Sequence, residues 1–144
     1  MRHYGLNPLE LPDFIFEREL SFNKYINETI TSGKGILSFL SQKNAFECKK
    51  YAFEAEVAGY KAICLNTPEA FAIAFDSVYD PKEHQLMMSF CTTGEHVKFS
   101  LFTTHDEINC GEIAKSYGGG GNQGTGSGKI NLHKLQEFLQ TKSM

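Results

Sequence analysis

Apolar residues recur near helical spacings from Pro12 to about Ser41. Phe14, Phe16, Leu20, Ile26, Ile30, Ile36, Leu37 and Leu40 alternate with Glu17, Arg18, Glu19, Lys24 and Glu28. This predicts a helix that Gly33 and Gly35 interrupt. A second helical stretch is expected over about Asn44 to Val57, with Phe46, Tyr51, Phe53 and Val57 on one face and Gly59 as its end signal. The texture then changes. Tyr60 to Leu65 is an apolar run of strand length. Thr67 and Pro68 suit the N-cap and first position of a short apolar helix, Ala70 to Val78, closed by Tyr79-Asp80-Pro81.

Two strands are predicted next. Leu86 to Cys91 is one, and Val97 to Phe102, with Val97, Phe99 and Leu101 on one face, is the other. Thr92-Thr93-Gly94-Glu95 between them suits a hairpin turn. A short helix follows over Asn109 to Tyr117, with Cys110, Ile113 and Ala114 inward and Asn109 as cap. A glycine-rich segment and a last amphipathic helix, Leu132 to Leu139, complete the chain. Helices thus alternate with few, short strands. The expected architecture is one α/β domain with a small mixed sheet flanked by helices, preceded by an N-terminal helical segment. Residues 1–58 form that segment, packed on the domain. Residues 59–144 form the α/β core, with a glycine-rich loop at 118–128.

Composition narrows the function classes. Leu, Ile, Val and Phe supply 36 of the 144 residues, which excludes disorder of the whole chain. A formal charge of −3 argues against a strongly basic nucleic-acid binder. No apolar run reaches the length of a membrane span, and the opening MRHYGLNPLELPDF has no signal-peptide core. Cys48, Cys64, Cys91 and Cys110 lie 16, 27 and 19 residues apart, with no Cys-x-x-Cys pair. They read as buried free thiols in a reducing compartment, with the cytoplasm as the expected location.

The unusual segment is Gly118 to Gly128, where seven of eleven residues are glycine. Gly119, Gly121 and Gly124 satisfy a dinucleotide-binding spacing, but a helix precedes them where a strand is needed. Gly128-Lys129 is followed by Ile130 and lacks the hydroxyl residue of a P-loop. Two readings stay open. The glycines form a platform whose backbone N–H groups cradle an anion, or they form a solvated flexible loop.

The stretch Ile108-Asn109-Cys110-Gly111-Glu112-Ile113-Ala114-Lys115-Ser116-Tyr117 leads into four glycines, and Ser100-Leu101-Phe102-Thr103 precedes it. This order resembles the DHHA1 domain of the DHH-family phosphoesterases. The likeness extends over most of the chain as that family's C-terminal half. It implies a substrate-binding role, with the phosphate of a nucleotide or short single-stranded nucleic acid held by Gly118, Gly119, Gly120, Gly121, Asn122 and Gln123 beside Ser100, Phe102 and Thr103. It also implies a partner, a DHH catalytic domain in cis or in trans, which would carry the Mn²⁺ pair. This chain has no Asp-His-His triplet, and one His105-Asp106-Glu107 run does not converge on two metals. No catalytic residue, metal ligand or cofactor is assigned here, and the chain alone is expected to be inactive, with the parent protein a phosphodiesterase- or exonuclease-like hydrolase.

The family histidine after the glycines is Asn122, a common strand-end arginine is Phe102, and the tail is Gly124-Thr125-Gly126-Ser127-Gly128. Asn donates a hydrogen bond but carries no charge, and Phe can only stack on a base. The alternative is a non-catalytic interaction or regulatory module that has lost ligand binding and serves partner docking or a homodimer. No membrane contact is expected.

Remaining residues read as structural. His84, His96 and His133 are expected at the surface, and His105 as a cap or surface residue. Met87 and Met88 are sheet residues. Phe14, Phe16, Phe22, Phe71 and Phe75 are core candidates. Lys115, Lys129, Lys134 and Lys142 against Glu112 and Glu137 give residues 110–144 a local excess of two positive charges.

Overall fold

The computed structural model describes residues 11–68 and 71–139, with the side chains of 11–17 left aside. Two compact units divide between Leu40 and Ser41. The first contains most of helix α1 (Leu11–Tyr51). Gly33 and Gly35 do not interrupt this helix. A Cβ at either would meet nothing within 4 Å, so each is an ordinary helical position on an open surface. Phe22 is not a core residue: it is 62% exposed, as are Ile36 and Leu37 to a similar extent. Phe14 and Phe16 fall outside the described side chains.

The second unit is built on a six-stranded sheet of order β1-β2-β3-β4-β6-β5. The strands are β1 (Phe53–Val57), β2 (Tyr60–Asn66), β3 (Leu86–Thr93), β4 (His96–Phe102), β5 (Gly120–Gly121) and β6 (Thr125–Asn131). Only β2 and β3 are parallel, so the sheet is mixed as expected.

The helix expected over Asn44 to Val57 stops at Tyr51. From Phe53 the period of two takes over, with Ala55 and Val57 buried and Glu54 and Glu56 exposed. Ala58 (φ 52°) and Gly59 (φ 84°) form a two-residue turn between the paired Val57 and Tyr60. Positive φ at both positions is what a tight hairpin turn of the right twist demands.

Two apolar layers cover the sheet. On one face Val57, Cys64, Met88, Val97, Phe99, Leu101 and Ile130 pack with Ala114 of α2 (Cys110–Ser116) and Phe138 of α3 (Leu135–Phe138). Phe138 packs on Phe99 with the rings tilted and 4.7 Å between centroids, and edge-on to Tyr117 at 4.4 Å. On the opposite face Ile63, Leu65, Met87 and Phe102 pack with Cys48, Ala74 and Phe75. The helix expected over Ala70 to Val78 is one 3-10 turn, Ala72–Phe75. Thr67 does not cap it; its amide donates to Phe90 O at 2.9 Å, extending the β2–β3 ladder. Phe75 is buried, but Phe71 is 76% exposed.

Cys48, Cys64 and Cys110 are buried and Cys91 is half-buried, all four as free thiols. Burial pushes Cys64 up to about 12 and Cys110 up to about 11. None of the helices is long and apolar enough to cross a membrane among the described residues.

Candidate functional site

The glycine-rich segment is not a continuous loop. It folds into the β5–β6 hairpin, and β6 lies between β4 and β5 in the sheet. The sequence Thr125-Gly-Ser-Gly-Lys-Ile-Asn131 alternates with a period of two. Gly126, Gly128 and Ile130 face α2 and Phe99. Thr125, Ser127 and Lys129 face the opposite side.

Close backbone approach explains most of the glycines. A Cβ on Gly111 would sit 2.6 Å from Gly121 C and O. One on Gly126 would collide with Cys110 O, and one on Gly119 with Ser127 O. One on Gly128 would reach Phe99 Cζ at 3.0 Å. Helix α2 therefore lies directly on the hairpin backbone, at a depth that only glycine permits. Gly118 (φ 86°) turns the chain out of the helix. Gly120 is different. It is exposed, its Cβ would meet nothing within 4 Å, and its φ is not positive.

The start of α2 is fully capped from within. Asn109 Oδ1 accepts from Glu112 N at 3.0 Å, as expected of this cap. Cys110 N donates to Gln123 O at 2.9 Å and Gly111 N to Asn122 O at 2.7 Å. At its end, Gly118 N donates to Lys115 O and Gly119 N to Ala114 O. The amides of Gly118, Gly119 and Asn122 all donate inward.

Asn122 and Gln123 hold the turn. Asn122 Oδ1 accepts from Gly124 N at 3.0 Å and Thr125 N at 3.1 Å. The oxygen is thereby committed to the turn, and what this exposed side chain offers a ligand is its Nδ2 donor. Gln123 Nε2 donates to His105 O at 2.8 Å and Ile108 O at 2.7 Å. Thr103 Oγ1 donates to Gln85 O at 2.8 Å and accepts from His105 N at 3.0 Å. Phe102 is buried beside Met87 and Phe75, away from solvent.

Ser100 is half-buried at the centre of a row. It stands opposite Ser89 of β3 on one side and Ser127 of β6 on the other, and Ser127 stands opposite Gly120. Directly opposed residues share a face, so three serines and Gly120 form one polar rung across four strands. The structure thus brings Ser100 and Gly120 to one face, and directs Phe102 and Thr103 into packing and hydrogen bonding. Ser127 was not legible as a site residue because its glycine neighbours read as loop. The alternation over 125–131 is the signal that could have found it.

His84 is not a surface residue. It is buried, and its Nδ1 accepts from Asp80 N at 3.1 Å, which leaves the ring proton on Nε2. Nε2 donates to Glu54 Oε1 at 2.9 Å. That bond is the main reason the Glu54 carboxyl is held below its ordinary value, with Lys61 adding to it. His105 Nε2 donates to His84 O at 3.1 Å, and its Nδ1 faces Glu107 Oε1 at 3.2 Å. The Glu107 carboxyl is lowered first by its own backbone amide and then by His105. Gln123, His105, His84 and Glu54 therefore tie the glycine hairpin to the opposite end of the sheet. No group of three or more His, Cys, Asp or Glu side chains among the described residues is disposed to hold a metal ion.

No protein-family model matches the chain, and no curated protein does so. Among solved structures, the chain is similar to a pGpG-specific phosphodiesterase, PggH from Vibrio cholerae. The TM-score is 0.51 and the identity 15%. The match covers 69% of this chain and 38% of that enzyme, so it spans little more than a third of the enzyme's length. At this identity the shared property is the fold: the α/β architecture described above recurs in part of a phosphodiesterase.

Proposed function

We propose that this chain is the substrate-binding, DHHA1-type domain of a DHH-type phosphoesterase, and that it holds a phosphate of a nucleotide or short oligonucleotide. The observation that carries this reading is the Ser100–Ser127–Gly120 rung, which presents hydroxyls and an unhindered glycine on an exposed part of the sheet. Hydroxyls and a Cβ-free backbone accept close approach of phosphate oxygens. The fold likeness to a pGpG-specific phosphodiesterase favours a short phosphodiester ligand. Asn122 Nδ2 supplies a further donor next to Gly121.

Hydrolysis on this reading belongs to a separate metal-bearing domain, in cis or in trans, which would supply the Mn²⁺ ions and the water they activate. The role of this chain's own residues is to bind and orient.

The test is thermal stabilisation by a 5′-phosphorylated dinucleotide. A ligand that binds only the folded state at 100 times its Kd adds about 2.7 kcal/mol of stability. Gly120→Asp places a carboxylate where nothing else stands within 4 Å, so the variant should fold and lose that stabilisation. A second reading, a non-catalytic interaction module, is favoured by the inward commitment of the Gly118, Gly119 and Asn122 amides and of the Asn122 oxygen. No stabilisation by millimolar dinucleotide would select it.

A further inference from the structure

The strands nearest the glycine hairpin are free of acid. β3, β4, β5 and β6 contain no Asp or Glu, whereas β1 at the far edge carries Glu54 and Glu56. Lys98 of β4 stands directly opposite Lys129 of β6, and both are exposed. They share the face of Ser100 and Ser127, one rung along, and His96 opposite Asn131 forms the next rung. Like charges directly opposed across strands destabilise a sheet. Lys24, Lys43 and Lys61 each form ion pairs, but neither Lys98 nor Lys129 forms one among the described residues. The fold thus keeps two uncompensated ammonium groups side by side, next to a row of hydroxyls.

We infer that the Lys98–Lys129 rung is an anion subsite that receives the second phosphate of a di- or oligonucleotide whose first phosphate lies at the Ser127–Gly120 rung. This rests on the nucleotide-binding reading of that rung. Side chains two residues apart along a strand stand about 7 Å apart, a separation of the same order as that of consecutive phosphates along a nucleic-acid strand. Two lysines act as point charges on a phosphate without demanding a fixed orientation. A mononucleotide reaches one rung, and a dinucleotide reaches both.

The experiment follows the Lys98 and Lys129 side-chain NMR signals during titration with inorganic pyrophosphate, and measures dinucleotide and mononucleotide affinity in Lys98→Gln and Lys129→Gln. Pyrophosphate is expected to shift both lysines. Each substitution should weaken the dinucleotide about tenfold, leave the mononucleotide unchanged, and lower the salt slope of dinucleotide binding by about one. Relief of the like-charge contact should also raise the ligand-free Tm slightly. Unmoved lysine signals, or equal losses for both nucleotides, overturn the subsite. If neither nucleotide binds the wild-type chain, the nucleotide reading fails, and the pyrophosphate titration still decides whether the lysine rung binds anions.

Discussion

His84 and Glu54, thirty residues apart, meet through a 2.9 Å hydrogen bond from Nε2 to Oε1 that ties the β2–β3 crossover to the edge strand β1. The Glu54 carboxyl is depressed by this bond, so its contribution is present above the unfolded carboxylate value, near 4.3, and is lost as pH falls through the lower folded value. Glu54 is more than half exposed, which keeps the contribution below about 1 kcal/mol. Chemical denaturation between pH 3 and 7 should give Glu54→Gln a shallower acid loss of stability than wild type. Parallel curves would refute the assignment.

His84→Ala should cost more, about 2–3 kcal/mol. It leaves the Asp80 amide without its acceptor and removes the ring stacked on Tyr79 at 6.1 Å. Urea denaturation at pH 7 measures this. A loss under 0.5 kcal/mol, on the order seen at ordinary surface sites, would mean that the ring is dispensable.

The glycines of the hairpin should divide sharply. Gly111→Ala and Gly126→Ala force a methyl into backbone atoms and are expected to lose about 3 kcal/mol or more, or fail to fold. Gly120→Ala meets nothing and should stay within about 0.5 kcal/mol of wild type. Melting temperatures of the three variants decide it, and a uniform response would contradict the close packing of α2 on β6.

Phe138→Ala should lose about 3–5 kcal/mol, because Phe138 is 1% exposed and fills the space between Phe99 and Tyr117. A stable variant would show that α3 contributes little to the core.

A disulfide reagent at pH 8 should titrate about one thiol in the native chain and four after denaturation. Cys64 and Cys110, at about 12 and about 11, are protonated as well as buried, and burial also raises Cys48. The reactive thiol is expected to be the half-buried Cys91. Mass spectrometry of the labelled peptide checks the position.

Much of the fold was legible because period and punctuation agree locally. Val97, Phe99 and Leu101 marked β4, Asn109 marked the start of α2, and Met87 and Met88 sit on β3 as expected. The two missed strands have one physical source. Phe53 to Val57 carries apolar residues compatible with either period, and pairing with β2 chose the strand. Gly124 to Gly128 carries too little apolar mass to read as a strand, yet β6 is held by β4 on one side and β5 on the other.

The candidate site divides the same way. Its residue types are in the sequence: the glycines, Ser100, Asn122 and the lysines. Register across strands was not, so nothing local announced that Ser89, Ser100 and Ser127 align, or that Lys98 faces Lys129.

By itself, the order of residues determined the Asn109 start of α2, the β3–β4 hairpin and the α/β class, since caps, turns and alternation act between near neighbours. Tertiary structure alone decided that His84 is buried, that the glycines are a packing surface for α2, and which polar side chains share a face. Those outcomes depend on contacts between residues far apart in the chain, whose free energy appears only when the sheet closes.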